Sequence, residues 1–377
     1  MPTTPSPEPA STSSSRLHAL DALRGFDMFW IIGGDSWLHA LAELTGWSIA
    51  IWGAMQMEHM AWDGFRFYDM IFPLFLFIAG VAMPFSLTRR LERGDNKRKL
   101  MGHVIRRGLI LVVLGIIFNN GLFHQYAWDE MRYPSVLGRI GLAYLFAGLI
   151  VLNTQWRSQG YWFVGLLLGY WAAMMWIPVP GHGAGQLTVE GNLAAYLDRL
   201  LLPGRLYLDV HDPEGLFATI PAISTALMGA LTGNMLRSDT LNPNRKILLM
   251  VGAGVVFLLL GWLWNLNFPV NKNLWSSSFV LVAGGWSLIL LALFYTLIDV
   301  WGWKKWAFFF VVIGLNSITI YMANGLIQFR HIHEFFDKGL LQLLSEPARA
   351  ILWWTGFILI EWAILYFLYR KKIFLRV

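Results

Sequence analysis

A chain of 377 residues that is 56% hydrophobic and 14% charged, with a mean hydropathy of +0.51, is too apolar for an ordinary soluble globular protein. The absence of cysteine excludes disulfides, thiol nucleophiles and thiolate metal sites. Its 29 basic against 23 acidic side chains need no nucleic-acid partner if the excess lies on one membrane face.

In chain order, the opening MPTTPSPEPASTSSSR is rich in Pro, Ser and Thr and lacks an apolar h-region. Residues 1–16 are therefore expected to be a disordered tail and not a signal peptide. Apolar runs of about 17–25 residues then follow near 19–40, 67–88, 103–123, 135–153, 161–178, 215–236, 247–267, 276–300, 306–326 and 348–369. They predict an all-α, polytopic transmembrane helix bundle of about ten spans, one domain over 17–377, embedded in a lipid bilayer. The 20 Trp, 26 Phe and 12 Tyr fit aromatic belts at the two membrane interfaces.

An even number of spans puts both termini on one side. With the N-terminus inside, the inner loops and helix ends hold Arg16, Arg24, Arg89, Arg90, Arg93, Lys97, Arg98, Lys99, Arg106, Arg107, Arg157, Arg237, Arg245, Lys246, Lys304, Lys305, Arg370, Lys371, Lys372 and Arg376, or 20 of the 29 Lys and Arg. The positive-inside rule therefore predicts cytoplasmic termini.

This topology places MEHMAWDGFRFYDMIFP, residues 57–73, at the outer mouth of the second span. Here His59, Asp63, Arg66 and Asp69 precede or enter a hydrocarbon-length run, where ionised groups are costly and functional candidates by default. Pro73 cannot donate the hydrogen bond that the carbonyl of Asp69 would accept, so a kink or local opening is expected there. A carboxylate beside that carbonyl could orient His59. On one continuous helix, ten residues separate the two by about 15 Å, so the pair requires residues 57–64 to fold back over the helix end. The competing expectation is structural: an Arg66–Asp69 pair at i,i+3 and an interfacial His59.

The segments LDALRGFDMFW and EHMAWDGFRFYDMIFPLFLFIAGVAMPFSL, followed in order by YPSVLGRIGLAYLF (133–146), DPEGLFATIPAI (212–223), NKNLWSSSFVL (271–281) and GLNSITIYMANG (314–325), resemble the transmembrane acyltransferases related to heparan-α-glucosaminide N-acetyltransferase. The likeness is strongest to bacterial homologues linked to amino-sugar use. It implies transfer of an acetyl group from cytosolic acetyl-CoA, as co-substrate, to the amine of a glucosamine-type acceptor at the outer face of a bacterial inner membrane. It places the essential histidine on His59 and the site aspartate on Asp69. Asp35 stands where the family has an asparagine, which puts in question the acyl contact an amide would make.

Histidine suits the chemistry. An amine attacks only when unprotonated, and imidazole can take its proton or accept the acetyl group itself; the sequence leaves both routes open. Arg89, Arg90, Lys97, Arg98, Lys304 and Lys305 are loose candidates for the nucleotide end of the donor.

Asp35, Trp62, Asp212, Glu214 and Asn316 are candidates for substrate binding. Against this, Asp212 and Glu214 could cap a helix start, and Asn316, like Arg139 and Tyr321, could serve interhelical hydrogen bonding. His331 and His333 at i,i+2 do not share a helical face, so no metal site is expected. Assembly as a homodimer is left open. The alternative function is an amino-sugar or N-acetylglucosamine permease using the same polar site.

Overall fold

The computed structural model describes residues 17–121, 127–326 and 344–374. The tail 1–16 and the histidines of RHIH at 330–333 lie outside the described residues. Among those described, the regular secondary structure is helical, with two isolated bridges, Arg132 to Gly204 and Val179 to Gly183, as the only β-type pairing.

The elements are α1 (His18–Phe29), a π turn (Trp30–Gly34), α2 (Asp35–Thr45), α3 (Ser48–Gln56), α4 (Phe67–Met83), α5 (Arg89–Glu92), α6 (Lys97–Asn120), α7 (Val136–Asn153) and α8 (Trp156–Trp176). They continue with α9 (Leu193–Leu201), α10 (Thr219–Arg237), α11 (Pro243–Trp264), α12 (Ser277–Phe294), α13 (Phe308–Leu315), α14 (Ser317–Leu326) and α15 (Glu346–Arg370). Short polar side chains start several of them by accepting from orphan amides: Asn96 from Arg98 N, Ser135 from Gly138 N, Asn242 from Arg245 N and Ser276 from Phe279 N.

Among the described residues, six helical stretches are long and apolar enough to cross a membrane: Phe67–Glu92, Lys97–Asn120, Val136–Asn153, Pro243–Trp264, Ser277–Val300 and Glu346–Arg370. The α13–α14 pair makes a seventh if its 68° bend lies within one span. The chain is a multi-pass membrane protein. The other expected spans are helical too, but α1, α8 and α10 carry more polar or small residues or are interrupted.

The bundle has inner and outer helices. Most of the apolar window of α4 is buried (78%), whereas only 17% of that of α11 is. Helices α1, α4, α7, α10 and α12 supply most of the core, and α6, α11 and α15 turn wide apolar faces outward. Close crossings use small residues, the means by which helices associate where water does not drive them together. A Cβ on Gly80 would meet the carbonyl of Ala226, and one on Gly229 the carbonyl of Phe77, so α4 and α10 approach backbone to backbone.

Five expectations change. The first span is not one helix: Gly33, at φ +125°, breaks it before Asp35, a conformation that favours glycine. The stretch 306–326 breaks at Asn316. Residues 42–66, between the first two expected spans, contain the apolar helix α3. Helix α10 begins only at Thr219, so HDPEG at 211–215 is a turn and not a helix start. Helix α4 runs through Pro73 without interruption.

Candidate active site

The segment after α3 folds back over the first turn of α4, as an imidazole–carboxylate pair requires. His59 Nδ1 lies 2.8 Å from Asp69 Oδ1, although the two are ten residues apart in sequence. Asp69 is buried, while the His59 side chain is half exposed, at 47%. The second carboxylate oxygen of Asp69 accepts from Arg66 N at 3.0 Å and Met60 N at 3.4 Å. Asp69 is therefore a helix cap and a partner of His59 at once, and the two expectations for it are not alternatives. Arg66 does not pair with Asp69 through its guanidinium, which reaches back to Glu58 at 2.6 Å.

Distant segments pin this fold-back. Gly64 N donates to Val270 O at 2.8 Å, Asn271 Nδ2 to Asp63 Oδ1 at 3.1 Å, and Trp62 Nε1 to Leu187 O at 2.9 Å. Trp62 also meets His211 edge-on, with ring centroids 5.4 Å apart. Burial pushes the His211 imidazole down to about 4, against the opposing pull of its hydrogen bond with Asn273 O and the charge of Asp212. His211 is thus held neutral behind the loop.

The same closure delivers Lys272, whose Nζ lies 2.9 Å from His59 Nε2 and 3.1 Å from Nδ1. Near-equal distances to both nitrogens put the amine over the ring face, off the in-plane lone pair of either one. With Nδ1–H donated to Asp69, the lone pair falls on Nε2, and no described residue takes it in the ring plane. Burial lowers the Lys272 pKa from the ordinary lysine value, while the charges of Asp69 and Glu214 resist that fall. Tyr68 tilts against His59 at 4.7 Å between centroids and donates to Asp35 Oδ2 at 3.3 Å. Asp35 therefore touches the pair only through Tyr68.

His59, Tyr68, Glu214, Lys272 and Tyr321 supply the polar lining of a cavity of about 210 Å³ whose other walls are apolar, among them Met28, Ile31, Ile71 and Phe72. Of the expected substrate-binding residues, only Glu214 lines it. Asp212 is fully buried and spent on structure: it accepts both arms of Arg132 at 2.8 Å and the amides of Tyr207 and Glu214. Arg132 also reaches Glu214. Burial disfavours the Arg132 charge, but its bonds and charges with Asp212 and Glu214 outweigh that and raise its pKa above the ordinary arginine value. Asn316 is not at this cavity. It sits at the α13–α14 break and donates to Ile373 O at 3.1 Å.

A second cavity, of about 830 Å³, opens toward the other end of the bundle and is lined by Arg24, His103, Arg106 and Arg107 together with Phe75, Phe85 and Ile318. Arg107 lies over the Tyr144 ring at 4.4 Å, and its Nε is buried without a partner among the described residues. Phe75 and Ile318 line both cavities and so form the partition between them. None of the basic residues singled out above for the nucleotide end of the donor lines this cavity. Among the described residues, no group of three or more His, Asp and Glu could hold a metal ion.

Fold and site together define a multi-pass helical membrane protein with an imidazole–carboxylate pair at the mouth of a cavity in its bundle. No family model matches the chain. It is 28% identical to the heparan-alpha-glucosaminide N-acetyltransferase of Mus musculus, over 98% of this chain and 62% of that protein. It is likewise 28% identical to the Homo sapiens protein of that name, over 96% of this chain and 60% of that one. The chain is related to these proteins and spans about three-fifths of the length of the curated relatives it matches.

Proposed function

We propose that the chain is a membrane-bound N-acetyltransferase that moves an acetyl group from cytosolic acetyl-CoA to the amine of a glucosamine-type sugar at the outer face of a bacterial inner membrane. The observation that carries this reading is the meeting of two unlike cavities at Phe75 and Ile318. The larger, basic one suits the phosphates of a nucleotide donor. The smaller one holds His59, Asp69 close behind it, and Glu214, a carboxylate able to attract an amino sugar. A thioester on a flexible arm passing the partition would meet the amine beside His59 Nε2, while the charged nucleotide stays outside the hydrocarbon.

His59 then acts in one of two ways. As a base, Nε2 takes the proton of the attacking amine and returns it to the departing sulfur. As a nucleophile, Nε2 takes the acetyl group and passes it to the amine. In both, Asp69 fixes the tautomer. This reading includes ten spans in a single transmembrane domain with both termini in the cytoplasm. A permease would draw on the same cavities, but the name of the relatives supports transfer.

The test is purified protein with labelled acetyl-CoA and glucosamine. N-acetylated sugar and free CoA in equal amounts are expected; unmodified sugar crossing vesicles without CoA release would replace the enzyme by the permease. A reporter fused after Val377 should be active only in the cytoplasm, and one inserted near His182 only outside.

A further inference from the structure

Acyl transfer builds negative charge on the carbonyl oxygen. In an apolar cavity, that charge needs a donor already in position. Three groups in the lining can donate a proton toward His59: Tyr68, Tyr321 and Lys272. The Tyr68 hydroxyl is turned to Asp35. Tyr321 stacks on Phe118 with centroids 4.4 Å apart. Lys272 alone of the three has its donor atom within 3.1 Å of both imidazole nitrogens.

We propose that Lys272 is a further catalytic residue, whose ammonium donates a hydrogen bond to the carbonyl oxygen of the acetyl group and holds the oxyanion during transfer. This rests on the acetyltransferase reading. A reacting carbonyl stands about 3–3.5 Å from its attacking atom. A carbonyl attacked at or next to Nε2 therefore lies within reach of an amine only 2.9 Å from that nitrogen.

As the amine nitrogen bonds to the carbonyl carbon, the carbonyl electron pair moves to oxygen under the Lys272 ammonium, and His59 Nε2 takes the amine proton. The pair returns as the carbon–sulfur bond breaks, and the thiolate leaves with the proton from His59. Lys272 keeps its own proton throughout. If His59 is acetylated first, the same oxygen passes the same donor twice.

Lys272 is set in place before any substrate arrives. Its loop is tied to the His59 loop by Gly64–Val270 and Asp63–Asn271. Ser276 closes it by donating to Pro269 O at 2.7 Å and accepting from Asn271 N at 3.1 Å. Asp69 and Glu214 supply the negative charge that favours the ammonium against desolvation. Such fixed geometry makes a donor effective in the transition state without reorganisation.

The experiment compares wild type, Lys272→Met and Lys272→Arg in acetyl transfer to glucosamine, with CoA-induced thermal stabilisation measured on each. Loss of one oxyanion donor costs roughly 10²–10³-fold in kcat. Lys272→Met should show that loss with its KM for acetyl-CoA and its CoA stabilisation retained, and Lys272→Arg, still a donor, should recover at least about tenfold of it. A Lys272→Met kcat within about threefold of wild type, a loss confined to KM, or an arginine no better than methionine overturns the assignment. A wild type that transfers no acetyl group overturns the acetyltransferase reading, and this one with it.

A spectroscopic arm separates donation from mere packing. The carbonyl stretch of carbon-13-labelled acetyl-CoA bound to His59→Ala protein should move to lower frequency than in the His59→Ala, Lys272→Met double variant. Identical frequencies refute the hydrogen bond.

Discussion

The cavities on either side of Phe75 and Ile318 differ in size and in chemistry. One is about 830 Å³ and basic, with Arg24, His103, Arg106 and Arg107 and no carboxylate in its lining. The other is about 210 Å³ and apolar, with a lysine, a glutamate and a histidine set into it. The first can attract a large anion by charge alone, with room enough not to fix its orientation. The second holds a small group among fixed partners. Affinity for the donor and the rate of its chemistry are therefore assigned to different ends of the bundle, and substitutions can separate them.

The largest effect is expected at the small cavity. His59→Ala should abolish turnover, a loss of at least about 10²–10⁴-fold on the scale of acid–base catalysis, while CoA still raises the melting temperature. Asp69→Asn should cost about 10²-fold in kcat and also soften the start of α4, because the same carboxylate accepts the amides of Met60 and Arg66. If His59→Ala loses CoA stabilisation as well as turnover, the two cavities are not separable in this way. Mass spectrometry after acetyl-CoA alone divides the chemical routes: acetyl on His59 supports the covalent path, and its absence with intact transfer supports direct attack.

The next effect belongs to the large cavity. Replacing Arg106 and Arg107 together by Gln should raise the KM for acetyl-CoA by about tenfold or more, since hydrogen bonds to charged groups are worth about 1.5–3 kcal/mol each, and leave kcat within about threefold. High salt should mimic the substitution. A fall in kcat at saturating donor would instead place these arginines in the chemistry.

How much of this was legible in the sequence depends on how far each contact reaches along the chain. His59 and Asp69 are ten residues apart, and the acidic, aromatic entry to an apolar run advertises them. Lys272 is 213 residues from His59 and reads as an ordinary polar loop residue until α11 and α12 bring the loop back. Asp212 and Glu214 stand out as acids, but their partner Arg132, 80 and 82 residues away, is what decides that one is buried structure while the other faces the cavity. The break at Gly33 was not legible because glycine is frequent in membrane helices and only the backbone shows which glycine departs from helical angles. Helix composition survives this limit better than helix continuity. The apolar runs at 135–153 and 348–369 match α7 and α15 closely, whereas 306–326 conceals a bend.

A smaller effect probes the wall between the small cavity and the loops that close it. His211 is neutral in the fold, pushed down to about 4 from an ordinary value near 6.5. A depressed folded pKa contributes stability above the unfolded value, and this is lost as pH falls through the folded one. Thermal stability should therefore decline as pH drops from about 6.5 toward 4, and His211→Gln should decline less over that window. The neighbouring charges of Asp212, Arg139 and Arg199 persist in that variant, so a difference in slope reports the imidazole. Parallel curves for the two proteins would assign the acid sensitivity elsewhere.

The smallest effect is expected at Arg66, the charged neighbour of the pair in the sequence. Arg66 lies three residues before Asp69, within the motif that carries the site, yet its guanidinium turns away from the cavity to Glu58, whose side chain is 54% exposed. Such pairs contribute only about 0–1 kcal/mol because solvent and salt screen them. What Asp69 needs from position 66 is the backbone amide, which every residue but proline supplies. Arg66→Gln should therefore keep kcat and both KM values within about twofold and leave the melting temperature nearly unchanged. Arg66→Pro removes that amide and should disturb the Asp69 carboxylate and so His59. Equal behaviour of the two variants would mean that the cap is not what positions the imidazole–carboxylate pair.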